Sequence, residues 1–247
     1  MKQKISFSIV GLSALGMPLL SLLLSYFSEI KKLILIDPDV WQKNQTRKHI
    51  LSKKDHTGKP KVQVAKDIVK GINQNQRIET YQLKAQDEKS QKAMQKTDII
   101  IACVDNDLSR LDLQVYATAH QKILLDLSAQ IIGNERFGTA RLYIPEKTPC
   151  LVCQGLPANE IMSDTLKKAK IDTGYLKETD INPRSVAVLD TEVACIGLCL
   201  LLSFLEEENN LPTTLFLDQT KNEIKRLTFV SKDDCKICGT QSKRKEK

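Results

Sequence analysis

The chain has 247 residues, with 37 lysines and arginines against 30 aspartates and glutamates, a net charge of +7, 41% hydrophobic and 27% charged residues. That balance belongs to a globular protein long enough to bury a substantial core, and it excludes a disordered or fibrous chain except at a flexible tail over 241–247. The lysines are scattered and not gathered into one stripe, without the aromatic interleaving that marks a nucleic-acid groove, and seven cysteines fit a reducing, cytoplasmic compartment better than a disulfide framework.

Met1–Val10 carries no signal-peptide cleavage pattern, and the apolar run 19–24 is too short to cross a bilayer, so no membrane is expected. Ile5–Val10 reads as a strand, Gly11–Gly16 as a small-residue turn, the next stretch as an apolar helix, and Lys32–Asp37 as a second strand. Pro18 fits near the helix start, where its missing N–H has no partner to lose. Lys61–Ile72 has helical spacing, with Val62, Ala65, Ile68 and Val69 on one side, and Arg77–Leu83 alternates like a strand.

The pattern continues with a helix over Asp87–Gln95, a buried strand over Asp98–Cys103, a helix over Asp107–Ala119 and a strand over Lys122–Leu127. Strands joined by helices predict a Rossmann-like, mainly parallel α/β sheet with helices on both faces and ligands at the carboxyl ends of the strands. From Arg136 the pattern changes. Thr139–Ile144 reads as a strand, Ser163–Asn182 as a mobile crossover, Val186–Glu207 as an apolar helix, and Leu215–Val230 as an antiparallel hairpin turning near Lys221 and Asn222. A single domain is expected over 1–247, with a nucleotide-binding half over 1–135 and a C-terminal half over 136–240.

Two knuckles, Cys150-Leu-Val-Cys153 and Cys235-Lys-Ile-Cys238, enclose the C-terminal third. Each supplies half of a tetrahedral thiolate site, and four thiolates leave no open position, so the zinc they predict is structural. Redox dithiols, or two unrelated turns, are the other readings of the same spacing.

The candidate chemistry lies at the strand ends. Asp37 stands where an acidic side chain accepts from a ribose hydroxyl, after the turn Gly11-Leu-Ser13-Ala-Leu-Gly16, which keeps two of the three glycines of a dinucleotide loop. A tight strand-to-helix turn would use the same glycines. Asp39, Asn44, Arg47, Lys61 with its neighbour Lys59, and Asp105-Asn106 with Arg110 fall at successive strand ends or in the loops after them. They gather carboxylates, a guanidinium and an ammonium at one crevice. Reaction at a triphosphate needs such a set, and hydride transfer to a nicotinamide does not.

On these residues, and over Ile9–Gly239, the sequence resembles the ThiF/MoeB/HesA family, relatives of the ubiquitin-activating enzymes. The resemblance implies an adenylyltransferase that binds ATP and magnesium and adenylates the C-terminal glycine of a small ubiquitin-like or sulfur-carrier protein. It implies that Asp37 holds the ribose and Asp105 the magnesium, that Asn44, Arg47 and Lys61 contact the phosphates, and that the four knuckle cysteines hold zinc. It also implies a homodimer. Ser13 and Ala14 depart from the family's glycines, and the N-terminal arginine helix of sulfur-carrier relatives has no counterpart before the first strand.

The crossover 154–185 holds no cysteine, so adenylation is expected without a stable enzyme thioester, a partner's thiol or a sulfur donor taking the acyl group. Cys103 is the one remaining thiol at a strand end, while Cys195 and Cys199, four apart on an apolar helix, are expected to be small buried hydrophobes. His49, His56 and His120 read as surface or packing residues, and Trp41 either covers the nucleotide or packs in the core. A catalytically decayed scaffold of the same fold, a nicotinamide oxidoreductase, and an enzyme acting on a peptide or tRNA carboxylate are the competing functions.

Overall fold

A computed structural model describes residues 4–43, 56–156, 183–207 and 211–239, with the side chains of 183–186 left out. In chain order the elements are β1 (Ser6–Val10), α1 (Gly16–Tyr26), β2 (Lys32–Ile36), α2 (Lys61–Ile72), β3 (Ile78–Tyr81), α3 (Glu88–Met94) and β4 (Ile99–Ala102). They continue with α4 (Asp107–Ala119), β5 (Ile123–Ile132), β6 (Glu135–Tyr143), α5 (Pro183–Leu205), β7 (Thr214–Asp218) and β8 (Glu223–Leu227). Among the described residues, the eight strands form one sheet in the order β3-β2-β1-β4-β5-β6-β7-β8. The first five are parallel and the last three antiparallel. The chain reverses its direction across the sheet between β3 and β4, so β1 and β4 lie side by side and open a crevice beyond their carboxyl ends.

Alternation along each central strand sends neighbouring side chains to opposite faces. Phe7, Ile9, Leu33, Leu35, Ile99 and Ile101 pack under α1, α2 and α5. Val10, Ile34, Ile36, Ile100 and Ala102 pack under α3, α4 and the cysteine knuckles. Burial on both faces explains why these strands read as continuous apolar runs.

The expected strand over Lys122–Leu127 is longer, running to Ile132, and its hairpin partner begins at Glu135, before the expected Thr139. Gly133, with φ +59, makes the turn that joins them. The overhang was illegible as a parallel strand because Ser128–Ile132 pairs on one side alone, with β6. The β7–β8 hairpin forms as expected, with Asn222 at φ +55 in its turn.

Helix α5 lies on β5 and β6 at two close contacts. A Cβ on Gly197 would sit 2.4 Å from Leu127 Cδ2, and one on Gly138 would sit 2.2 Å from Val193 Cγ2. Over Ala187–Leu205, α5 is long and apolar enough to cross a membrane, yet half of that stretch is buried within the fold. The expectation that Cys195 and Cys199 are buried is corrected: both are exposed. Helical spacing fixed that they share a face, but the residues of this apolar helix that enter the core are others, among them Val193, Ala194, Leu198 and Leu200.

Candidate active site and metal clamp

The turn after β1 is drawn tight against the ends of its neighbours. Gly11 adopts φ +91 and donates to the Ile36 carbonyl at 2.9 Å, and a Cβ there would meet the Cys103 carbonyl at 2.5 Å. Gly16 opens α1 so close to this turn that its Cβ would lie 2.0 Å from the Gly11 carbonyl. Both glycines are therefore required by backbone approach alone. Ser13 is half-buried, and its carbonyl accepts from the Met17 N–H at 3.1 Å.

Asp37 follows β2 directly and is 3% exposed. One oxygen accepts from the Leu12 N–H at 2.6 Å and the other from the Asp39 N–H at 2.9 Å. Burial raises the pKa of this carboxyl, opposed by the Lys61 ammonium and the two N–H donors. Lys61, the first residue of α2, is 4% exposed and places Nζ 2.7 Å from Asp39 Oδ2 and 3.9 Å from Asp37 Oδ1. Asp37, Asp39 and Lys61 are therefore brought together beyond the end of β2. Lys59 instead gives its carbonyl to the Trp41 N–H. Asn44, Arg47 and His49 lie outside the described residues.

Across the crevice, Asp105 is exposed in the loop after β4, and its Oδ1 accepts from Asn106 Nδ2 at 3.1 Å. Asn106 caps α4 by accepting from the Ser109 N–H at 2.8 Å. Arg110, grouped with the crevice cations from sequence, is corrected to a buried residue, 5% exposed, with Nη1 on Asp126 Oδ1 at 2.5 Å and on the Leu127 carbonyl at 2.8 Å. Arg141 Nη1 reaches the other oxygen of Asp126 at 3.0 Å. Sequence reasoning missed Asp126 and Arg141; a carboxylate inside the run Leu124-Leu125-Asp126-Leu127 was the available signal, since a charge buried there needs a partner.

Cys103 is buried, and burial pushes its thiol well above the ordinary range, so it packs in the core and offers no thiolate. Trp41 also packs in the core, edge-on to His56 at 5.6 Å, and His120 lies on Tyr116 at 4.3 Å.

The two knuckles converge from positions 85 residues apart. Cys150 and Cys235 Sγ are separated by 3.6 Å, as are Cys153 and Cys238 Sγ, and all four sulfurs lie within 4.8 Å of one another. Tetrahedral Zn–S bonds of about 2.3 Å set sulfurs about 3.8 Å apart, so the donor set and spacing fit zinc. Burial pushes the Cys150 and Cys153 thiols up, Cys153 to about 11. At Cys235 burial acts the same way, but the N–H groups of Cys238 and Ile237 and the neighbouring thiols outweigh it and bring it down to about 7. A cation is what would hold all four as thiolates together.

The frame is thus a Rossmann-like sheet with an antiparallel extension, a crevice of acidic and basic side chains, and a four-cysteine clamp. The ThiF family profile matches residues 3–239, and the chain belongs to that family. Among solved structures, Escherichia coli MccB with succinimide is similar, with a TM-score of 0.71 at 19% identity over 96% of this chain and 66% of MccB. MccB in complex with N-formylated MccA gives 0.73 at 18%, over 95% and 67% of the two chains. PaaA gives 0.67 at 18%, over 92% and 73%. At these identities the likeness is one of fold, and the chain spans about two thirds of the length of the MccB structures. No curated protein matches the sequence significantly.

Proposed function

We propose that this protein is an ATP- and magnesium-dependent adenylyltransferase acting on the C-terminal carboxylate of a small partner polypeptide: a ubiquitin-like or sulfur-carrier protein ending in glycine, or a peptide. The observation that carries the reading is the meeting of Asp37, Asp39 and Lys61 beside the tight Gly11–Gly16 turn, with exposed Asp105 on the next parallel strand's loop. Membership of the ThiF family supports it, as does the similarity in fold to MccB, which has been solved with ATP and with N-formylated MccA.

In this reading Gly11, Ser13 and Gly16 line the approach to the phosphates, Asp37 accepts from the ribose, and Lys61 with Asn44 and Arg47 spreads the charge that develops at the α-phosphate. Asp105 would hold magnesium, with Asn106 beside it in the nucleotide site; when bound, the ion would neutralise phosphate charge. The attacking carboxylate oxygen forms a bond to the α-phosphorus, the bond to the pyrophosphate oxygen breaks, and pyrophosphate leaves. Both reactants are anions, so positioning by cations is the main contribution the chain makes.

The reading includes one domain, a cytoplasmic homodimer, a structural zinc at Cys150, Cys153, Cys235 and Cys238, and transfer of the acyl group to an external thiol or sulfur donor, since residues 154–185 hold no cysteine. Of this crossover, residues 157–182 lie outside the described residues. ATP–pyrophosphate exchange with candidate glycine-tailed proteins and peptides tests the reading. Exchange that needs both the partner and Asp105 supports it; none with any partner, from a zinc-loaded and folded protein, points to a scaffold.

A further inference from the structure

We infer that Arg110 is a positioning residue for the loop that carries Asp105, with Asp126 as its anchor; this rests on the reading of Asp105 as the magnesium holder. The observation is one guanidinium on α4 joining the loop after β4 to two groups of β5. From α4, Arg110 Nη2 donates to the Val104 carbonyl, one residue before Asp105. Its Nη1 donates to the Leu127 carbonyl and to Asp126 on β5. Nε faces Asp107 Oδ1 at 3.7 Å.

Asp126 has no exposed surface, and its second oxygen is held by Arg141 from β6. The carboxylate is therefore fixed from two sides and cannot follow Arg110 if the loop moves. Asp105 itself is exposed and, among the described residues, accepts a hydrogen bond only from its neighbour Asn106. The place of its carboxylate is thus set by the loop backbone, which is pinned at Val104 by Arg110 and at Asn106 by the helix cap. An ammonium at position 110 has neither the reach nor the fork to hold the Val104 carbonyl and Asp126 at once. A carboxylate that ligates a metal depends on such supporting contacts, whose loss commonly weakens metal affinity about 10- to 100-fold.

The contrast between the two arginines supplies the test. Both share Asp126, but among the described contacts only Arg110 touches the Asp105 loop. Full-length, zinc-loaded wild type, R110K, R141K and D126N would be compared by calorimetry, titrating ATP at stepped magnesium concentrations and also in EDTA. R110K is expected to raise the magnesium concentration for half-maximal enhancement of ATP binding about 10-fold, with metal-free ATP affinity and the R141K profile both as in wild type. D126N, which keeps an oxygen for Arg110 but loses the charge, is expected to fall between and gives the answer if R110K does not fold. The inference is overturned if R110K and D126N keep the wild-type magnesium requirement, or if R141K shifts it as much as R110K. Wild type that binds ATP with no magnesium dependence overturns the underlying reading of Asp105, and the inference with it.

Discussion

Lys61 Nζ stands 2.7 Å from Asp39 Oδ2 and 3.9 Å from Asp37 Oδ1, so a single buried ammonium is shared by a carboxylate that is 62% exposed and one that is 5% exposed in its side chain. The two partners differ in consequence. Asp39 can be solvated without Lys61, whereas Asp37 depends on Lys61 and two N–H donors to remain charged in its pocket.

Because burial raises the Asp37 pKa despite Lys61, the folded state binds that proton more tightly than the unfolded chain does. Its contribution to stability is present at pH below the unfolded value and is lost as pH climbs through the folded value. A carbon-13 titration of the Asp37 carboxyl is expected to show a midpoint above that of an ordinary aspartate, and K61M is expected to move it higher still. A midpoint unchanged in K61M would show that the 3.9 Å pairing carries no electrostatic weight.

Removing one knuckle cysteine should remove the zinc, because three thiolates and water bind it far less well than four. C153A or C238A is expected to lose zinc by elemental analysis, from one ion per chain, and to lose stability on the order of 3 kcal/mol, or roughly 6–12 °C in Tm. Chelation of wild type should give the same shift. Chelator-resistant Tm in a protein purified with zinc would leave the four sulfurs without a clamping role.

The parallel half and the knuckles were legible because each carries a strong local signal: glycines forced by backbone approach at Gly11 and Gly16, apolar runs buried on both faces, and thiols spaced for a metal. What sequence missed depends on partners distant in the chain. Arg110 looked like a ligand cation because its spacing from Asp105 is local, while its true partner, Asp126, is set by the pairing of β4 with β5. The outward turn of Cys195 and Cys199 likewise follows from which side of α5 meets the sheet, decided by the holes at Gly138 and Gly197.

Exposure of that pair makes a chemical prediction. In the native, zinc-loaded protein, iodoacetamide should modify Cys195 and Cys199 first, as read by peptide mass spectrometry, and leave Cys103 untouched until unfolding. If both helical thiols resist modification at high protein concentration but react on dilution, a second copy covers this face of α5. Resistance at every concentration would contradict their exposure in the chain.

Gly138 offers a test of how α5 is seated. An alanine there would place Cβ 2.2 Å from Val193 Cγ2 and 3.4 Å from Leu217 Cδ2, in a part of the core where Val193 is fully buried. The helix must shift or Val193 must leave its rotamer, a strain of about 1–3 kcal/mol. G138A is therefore expected to lower the urea midpoint with an unchanged slope. V193A alone should also destabilise, by leaving a cavity, but in the double variant the new methyl occupies space that Val193 has vacated. The two costs should then sum to less than their separate values, the non-additivity of groups that touch. Strict additivity would mean that β6 and α5 do not meet at this point.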